Sequence, residues 1–387
     1  MSGDILSTNA GRMSSAPDVV DLLRVLIRED TTTGSPGERE ALALLAERAG
    51  HMVGAAGEVR VATSGDAFVV VPDAGSGPVL LFACHIDTVP VGDPGRWQHP
   101  PHAAVVADGL VHGRGASDMK SGLAAALLAV ADGLTAGVRV AFAATTGEEA
   151  GCLGAASAAG LLTDVPVGAV VIPESTDNRV ALGHRGAYWL TVETRGVAAH
   201  GSTPAAGVNA VTALVDAVYQ LDRLPVRTHP SLGDESVNVG RFAGGEVHNI
   251  VPDRASAAID HRVVEADVDA LTAWWAARVD AVSEDLRLDP VWTDPDDAWV
   301  RSLSAPESVS DDAVPYFTDA SVLVRFLPPG TPIVVWGPGD PAAVHTVDES
   351  VSIVAVHRAL ELFRAAVARW GDLPAVDPAT RPEGTPL

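Results

Sequence analysis

Six side chains able to bind a cation or move a proton stand close behind apolar runs: His85, Asp87, Asp118, Glu148, Glu149 and Glu174. The first two follow Leu80-Leu81-Phe82-Ala83-Cys84. A short apolar run after a Gly/Pro segment predicts a buried parallel strand. Side chains alternate across a strand, so His85 and Asp87 share a face. An Asp there can accept the proton on one imidazole nitrogen and leave the other nitrogen free for a metal. Taken alone, the stretch fits a polar strand end equally well.

The other acids decide the matter. Asp118 lies between Gly113-Arg114-Gly115 and an Ala/Leu-rich helix. Its ordinary role at such a junction is an N-cap. Glu148 and Glu149 follow an apolar run at 138–144, and Glu174 follows another at 167–172. Open α/β sheets build their sites at the carboxyl ends of strands. So many acids at one edge repel each other unless cations neutralise them. Imidazole and carboxylate donors, with no cysteine needed, suit Zn, Co or Mn rather than a thiolate site. Adjacent glutamates do not easily face one ion together, so one binds and the other stands off as a base. A two-metal site holds its ions about 3.5–4 Å apart and needs a shared ligand. Asp118 is the candidate bridge.

Periodicity supplies the elements that position these residues. Helices are predicted over 18–28, 38–49, 208–224, 266–284 and 352–369, with another running from the Asp118 loop to residue 131. Strands are predicted over 59–71, 138–144, 167–172, 187–195, 236–242, 255–264, 286–293 and 333–336. From 184 to 294 the order is β-α-β-β-α-β, the pattern of a small ferredoxin-like unit. The predicted fold is therefore α/β. A catalytic domain of 1–183 and 295–387, with a mixed sheet flanked by helices, carries an inserted α+β unit at 184–294. His99, His102 and His112 lie in a Pro/Gly loop without ligand spacing and read as surface histidines. Residues 1–15 and the Pro-rich tail from 371 read as loose chain.

The chain has 387 residues, long enough for two domains, and a formal net charge of −24. That charge argues against nucleic acid or an anionic membrane as a partner. Lys120 is the single lysine, which reads as genome composition. Two cysteines offer no disulfide framework and suit a reducing cytoplasm. The first 15 residues do not read as a signal peptide. No apolar run approaches the ~20 residues needed to span a bilayer.

The combined motifs resemble the M20 metallopeptidases and deacylases. The resemblance rests on His85-Ile86-Asp87-Thr88-Val89-Pro90, Gly113-Arg114-Gly115 with Asp118-Met119-Lys120, Gly147-Glu148-Glu149, Glu174, and His345-Thr346 with Asp348-Glu349. It continues through Ala199-His200-Gly201-Ser202-Thr203-Pro204 and Gly207-Val208-Asn209-Ala210. It covers roughly residues 18–370. It implies a zinc-exopeptidase-like catalytic domain with a lid that also dimerises. It further implies two zinc ions, with cobalt or manganese as substitutes, bridged by Asp118. His85 and Glu174 would complete one ion, Glu149 and His345 the other. A bridging water would attack the amide, Glu148 would be the general base, and Asp87 would orient His85. His200 would reach the substrate carbonyl, often from the partner subunit of a homodimer.

Within the family, Gly183-His184-Arg185-Gly186-Ala187 resembles the acetylornithine deacetylase and succinyl-diaminopimelate desuccinylase branch. Arg185, Asn249 and Arg262 are lid residues suited to a substrate carboxylate, and Gly337 lies in a loop near the substrate. Two positions depart from the branch: Pro173 precedes Glu174 rather than following it, and Val347 replaces a Pro before Asp348. Neither removes a ligand. The expectation is a cytoplasmic, dinuclear amidohydrolase acting on an N-acyl amino acid. An M20-type dipeptidase or carboxypeptidase acting on a short peptide is the alternative. No G-x-S-x-G elbow supports a serine hydrolase.

Overall fold

The strand Val79–His85 lies inside an eight-stranded sheet, and all seven of its residues are buried. Val140–Thr145 and Val167–Ile172 flank it in parallel. Both are buried throughout, as parallel strands covered on two faces must be. The computed structural model describes residues 18–54, 59–73, 77–303, 309–310 and 313–372. The loose start expected for 1–15 lies outside the described residues. So does the expected tail, apart from residues 371 and 372, which close the last helix.

The strand order is 59–64, 67–72, 140–145, 79–85, 167–172, 333–335, 180–181, 309–310. The single strand expected over 59–71 is a hairpin, Val59–Ser64 and Ala67–Pro72, turning at Gly65-Asp66. Helices Val19–Arg28, Pro36–Val53, Ser121–Thr135 and Ile353–Asp372 cover one face. Phe82 meets Phe363 there, with ring centroids 5.3 Å apart. Ala155–Leu161 and Ala320–Leu323 pack on the other face. The large-sheet strands Val79–His85, Val140–Thr145 and Val167–Ile172 thus end together, with their acids at one edge.

A second sheet has four antiparallel strands in the order 236–244, 254–263, 186–195, 281–288. With helices Ala210–Tyr219 and Asp269–Ala276 on one face, this is the expected ferredoxin-like unit. One prediction inside it fails. The helix expected over 266–284 ends at Ala276, and Ala281–Leu288 is a strand. Arg278 lies 3.9 Å from the Trp274 ring centroid and donates to the Trp274 carbonyl, closing the helix. The next residues pair with the edge of Gly186–Arg195, from Glu193 with Ala281 to Ala187 with Leu288. Sheet pairing overrode local helix propensity. Of the strand expected over 286–293, Val291–Trp292 pairs elsewhere, with Gly183–His184.

Candidate metal centre

His85 is the last residue of its strand. Its Nε2 lies 3.1 Å from Asp118 Oδ1 and 3.1 Å from Glu174 Oε1. His345, far along the chain, brings its Nε2 to 3.3 Å from Asp118 Oδ2 and 3.0 Å from Glu149 Oε1. These contacts define two three-donor groups, His85/Asp118/Glu174 and Asp118/Glu149/His345. Within each group the ligand atoms all lie within 4.8 Å of one another. Asp118 belongs to both and offers one carboxylate oxygen to each side. Two imidazoles and three carboxylates fit a pair of divalent cations such as zinc.

The loop carrying Asp118 is tied down from outside. Glu349 is fully buried, and its carboxylate accepts four hydrogen bonds. The donors are the main-chain N–H groups of Gly115 (3.1 Å), Ser117 (2.8 Å) and Asp118 (3.1 Å), and the Arg114 guanidinium (2.6 Å). Lys120 lies beneath the same loop, fully buried. Its ammonium donates to the carbonyls of Leu26 (3.0 Å) and Glu29 (3.2 Å) at the end of the first helix. Burial lowers its pKa to about 8. The single lysine is therefore a helix C-terminal cap with a fixed place, not only a mark of composition.

Asp87 is also fully buried, and its position differs in detail from expectation. The nearer partner of His85 Nδ1 is the Asp87 carbonyl at 3.0 Å, while the carboxylate stands at 3.5 Å. That carboxylate accepts from the main-chain N–H of Glu148 (3.1 Å) and of Glu149 (3.2 Å), and from the Thr33 hydroxyl (2.9 Å). It thus ties the strand end to the Glu148-Glu149 turn as well as facing the imidazole. Glu148 is buried, with Cys152 Sγ 3.8 Å from its Oε1.

The electrostatics are those of a cluster awaiting positive charge. Burial raises Glu148 well above the usual carboxylate range. Burial, with the Asp118 charge adding, pushes Glu174 up to about 8. Burial opposes ionisation of Asp118 too, but hydrogen bonds from His345 and His85 more than offset it and hold its pKa far down. His345, beside Asp118 and Glu149, is raised to about 10. Burial works against charge on His85, yet Glu174, Asp118 and Asp87 raise its pKa well above the ordinary value. Divalent cations would offset the same buried negative charge.

The remaining predicted residues fall into two sets. Gly337 packs against the Glu174 turn, where a Cβ would stand 2.3 Å from the Pro173 carbonyl and 2.4 Å from that of Glu174. His200 and Asn249 lie together beside the four-stranded sheet, exposed, through a His200–Ile250 bridge and a 2.7 Å bond from Gly201 N–H to the Asn249 carbonyl. The His200 Nδ1 accepts from the Ser202 main-chain N–H at 3.1 Å and from its hydroxyl at 2.7 Å. A main-chain N–H can only donate, so in neutral His200 the ring proton sits on Nε2. Arg185 donates to the Asp234 carbonyl at 2.9 Å. Arg262 bonds to Asp260 at 3.2 and 3.3 Å and lies over the Phe317 ring at 5.5 Å.

Three further side chains complete the surroundings of the site. Tyr316 donates to the carbonyl of Ser175 at 2.6 Å, next to Glu174. Asp319 is buried and accepts from Thr145, and burial pushes its pKa up to about 6. Thr33 holds Asp87 from a loop more than fifty residues away in sequence. Thr318-Asp319-Ala320 resembles an M20 helix start behind the Gly337 loop, whereas Tyr316 and Thr33 carry no pattern in sequence.

Comparison with known proteins agrees with this geometry. The family model "Peptidase family M20/M25/M40" matches residues 81–369. A probable succinyl-diaminopimelate desuccinylase of Staphylococcus epidermidis is 32% identical over 331 residues, covering 73% of this chain and 81% of that protein. A succinyl-diaminopimelate desuccinylase of Paracoccus denitrificans is 29% identical, covering 92% of this chain and all of that one (100%). Among solved structures, an M20 family metallo-carboxypeptidase from Sulfolobus solfataricus superposes with a TM-score of 0.77 at 16% identity, covering 92% of this chain and 100% of that one. The chain belongs to the M20 family and is a metal-dependent hydrolase of linear amides.

Proposed function

We propose that this protein is a dinuclear-metal amidohydrolase that cleaves the amide bond of an N-acyl amino acid. The observation that carries the reading is the pair of three-donor groups sharing Asp118, with buried Glu148 on the adjoining turn. His85 and Glu174 would hold one zinc ion and Glu149 and His345 the other, with Asp118 between. Bound there, the two cations supply Lewis acidity and lower the pKa of water at the site. Glu148 takes the proton of the attacking water and returns it to the leaving amine. Asp87 holds Glu148 and Glu149 by their main-chain N–H groups. Deacylation of the desuccinylase kind is supported by the names of the two sequence relatives.

In this reading residues 184–294 act as the lid. His200 Nε2–H donates to the carbonyl oxygen as charge develops on it. The lid's edge strand Ser236–Gly244 is largely exposed, as are Val215 and Tyr219 on the neighbouring helix. An unpaired edge beside exposed apolar side chains suits a second copy of the chain. A homodimer would then bring His200 to the partner's metal centre. Two buried free cysteines fit a reducing cytoplasm. Among the described residues no helix is long and apolar enough to cross a membrane.

The test is metal analysis joined to a substrate panel. The protein should bind two divalent ions per chain, and the zinc- or cobalt-loaded form should hydrolyse N-acetyl or N-succinyl amino acids faster than dipeptides. Turnover of dipeptides alone would transfer the site to the exopeptidase reading. Turnover of no amide would refute both.

A further inference from the structure

The first turn of the helix Pro36–Val53 holds a buried glutamate, Glu38. Ser35-Pro36-Gly37-Glu38 has the spacing of a capping box, in which the acid would reach back to the Ser35 N–H. That N–H donates instead to the Thr32 carbonyl at 2.8 Å. Glu38 Oε2 accepts from the Gly34 N–H at 2.8 Å. Its Oε1 accepts from the Gly147 N–H at 2.7 Å, across 109 residues of sequence. Glutamates are rarely buried, because a carboxylate taken from water needs donors to replace it. Both donors here are main-chain groups, and one belongs to the turn that carries Glu148.

Three successive N–H groups of that turn end on buried carboxylates. Gly147 donates to Glu38, and Glu148 and Glu149 donate to Asp87. Gly147 has a φ of 71°, in the left-handed region that glycine adopts freely. The segment 31–38 serves both carboxylates. Its Thr33 hydroxyl donates to Asp87 at 2.9 Å. Its main chain pairs with the loop after His85: Thr33 N–H donates to the Thr88 carbonyl and Thr88 N–H to the Thr31 carbonyl, each at 3.0 Å. The Glu148 side chain has little else to fix it. Among the described residues, its one side-chain hydrogen-bond partner is the Cys152 thiol, a weak donor 3.8 Å from Oε1. The place of its carboxylate is therefore set by its main chain.

We infer that Glu38 is a positioning residue for the hydrolysis: through the Gly147 N–H it fixes the turn that aims Glu148 at the attacking water. This rests on the amidohydrolase reading and deepens it. Glu38 is a member of neither metal group. A base must stand within hydrogen-bond reach of the proton it takes. A misplacement of about 1 Å costs on the order of a hundredfold in rate. The effect of losing Glu38 therefore falls on kcat rather than on substrate binding.

Glu38→Gln keeps the size of the side chain but sets an NH2 group against one of the two N–H donors. The zinc-loaded variant is assayed on the N-acetyl or N-succinyl amino acid that the wild-type chain turns over fastest, with both ions confirmed by elemental analysis. Its kcat should fall about 10–100-fold, while KM stays within about twofold. In the metal-free protein, amide exchange of residues 147–149 should quicken by about tenfold or more, while the buried strand Val167–Ile172 keeps its wild-type rate. A general loss of stability would quicken both. Added to Glu148→Gln, Glu38→Gln should lower kcat by less than about twofold further, because residues that act as a unit are not additive. Glu38→Met, which removes both acceptors, should lower kcat more than Glu38→Gln; if it does not fold, Glu38→Gln carries the test. Wild-type kcat in folded Glu38→Gln, unchanged exchange at 147–149, or a loss that multiplies in full with Glu148→Gln would overturn this inference and leave the hydrolase reading intact. Turnover of no amide by the wild-type chain would overturn both.

Discussion

The main-chain N–H of Asp118 donates to the carboxylate of Glu349 at 3.1 Å, across 231 residues of sequence. The residue shared by both metal groups is thus held by one that is a member of neither. Glu349→Gln keeps the shape but removes the charge and one acceptor oxygen. Zinc affinity should fall about 10–100-fold, the usual cost of losing a ligand's support, and stability should fall as well, because the amide NH2 faces two donors and buried Arg114 loses its anion. Isothermal calorimetry with zinc would show it, and unaltered affinity would refute the role. Glu349→Ala should also lower stability by about 3–5 kcal/mol, since it leaves buried Arg114 without its anion.

Glu148→Gln should reduce kcat by at least about a hundredfold and leave both ions bound. Kinetics together with elemental analysis would separate a lost base from a lost metal. Turnover near the wild-type rate would remove Glu148 from the mechanism.

His200→Ala should lower kcat by about 10²–10³-fold, as removal of a single oxyanion donor does, with metal content unchanged. If His200 serves the partner's site, mixing His200→Ala with Glu148→Gln subunits should restore part of the activity, because one site of each mixed dimer is whole. A strictly monomeric, fully active enzyme at micromolar concentration would exclude action in trans.

Lys120→Met should destabilise the fold by about 1–3 kcal/mol, since the Leu26 and Glu29 carbonyls lose their donor in a buried place. Chemical denaturation of the metal-free protein would measure this independently of activity.

Two buried histidines outside the metal groups make the fold sensitive to acid. Burial lowers both His184 and His261 to about 4. His184 Nε2 pairs with the Thr318 hydroxyl at 3.0 Å, and His261 Nε2 accepts from the Trp275 indole at 2.9 Å. A histidine with a depressed folded-state pKa binds protons more readily when unfolded. Its contribution is complete above about pH 6.5 and declines as pH falls toward 4. Denaturant midpoints should therefore drop across that window. His261→Gln, which retains an acceptor for Trp275, should flatten the part that comes from the small sheet; an unchanged pH profile would rule His261 out as a source.

Much of the site is legible in the chain because it is built from strand ends. His85-Ile86-Asp87 carries its own geometry, since alternation alone puts both side chains on one face. Glu148, Glu149 and Glu174 each follow an apolar run that can only be a buried strand, so they had to meet at one edge. The ferredoxin-like order likewise follows from period and length. What local pattern could not hold was pairing. The segment 281–288 has a helix-compatible pattern, and only the free edge of Gly186–Arg195 made it a strand. Nor does spacing place Glu349 under the Asp118 loop, Thr33 against Asp87, or Leu286 against Gly151. Those contacts join segments tens to hundreds of residues apart and exist only once two sheets have packed. Sequence by itself determined which groups could hold metals and move a proton. Tertiary structure decided which of them face one another and which are buried enough to have shifted pKa values, because those contacts join distant segments.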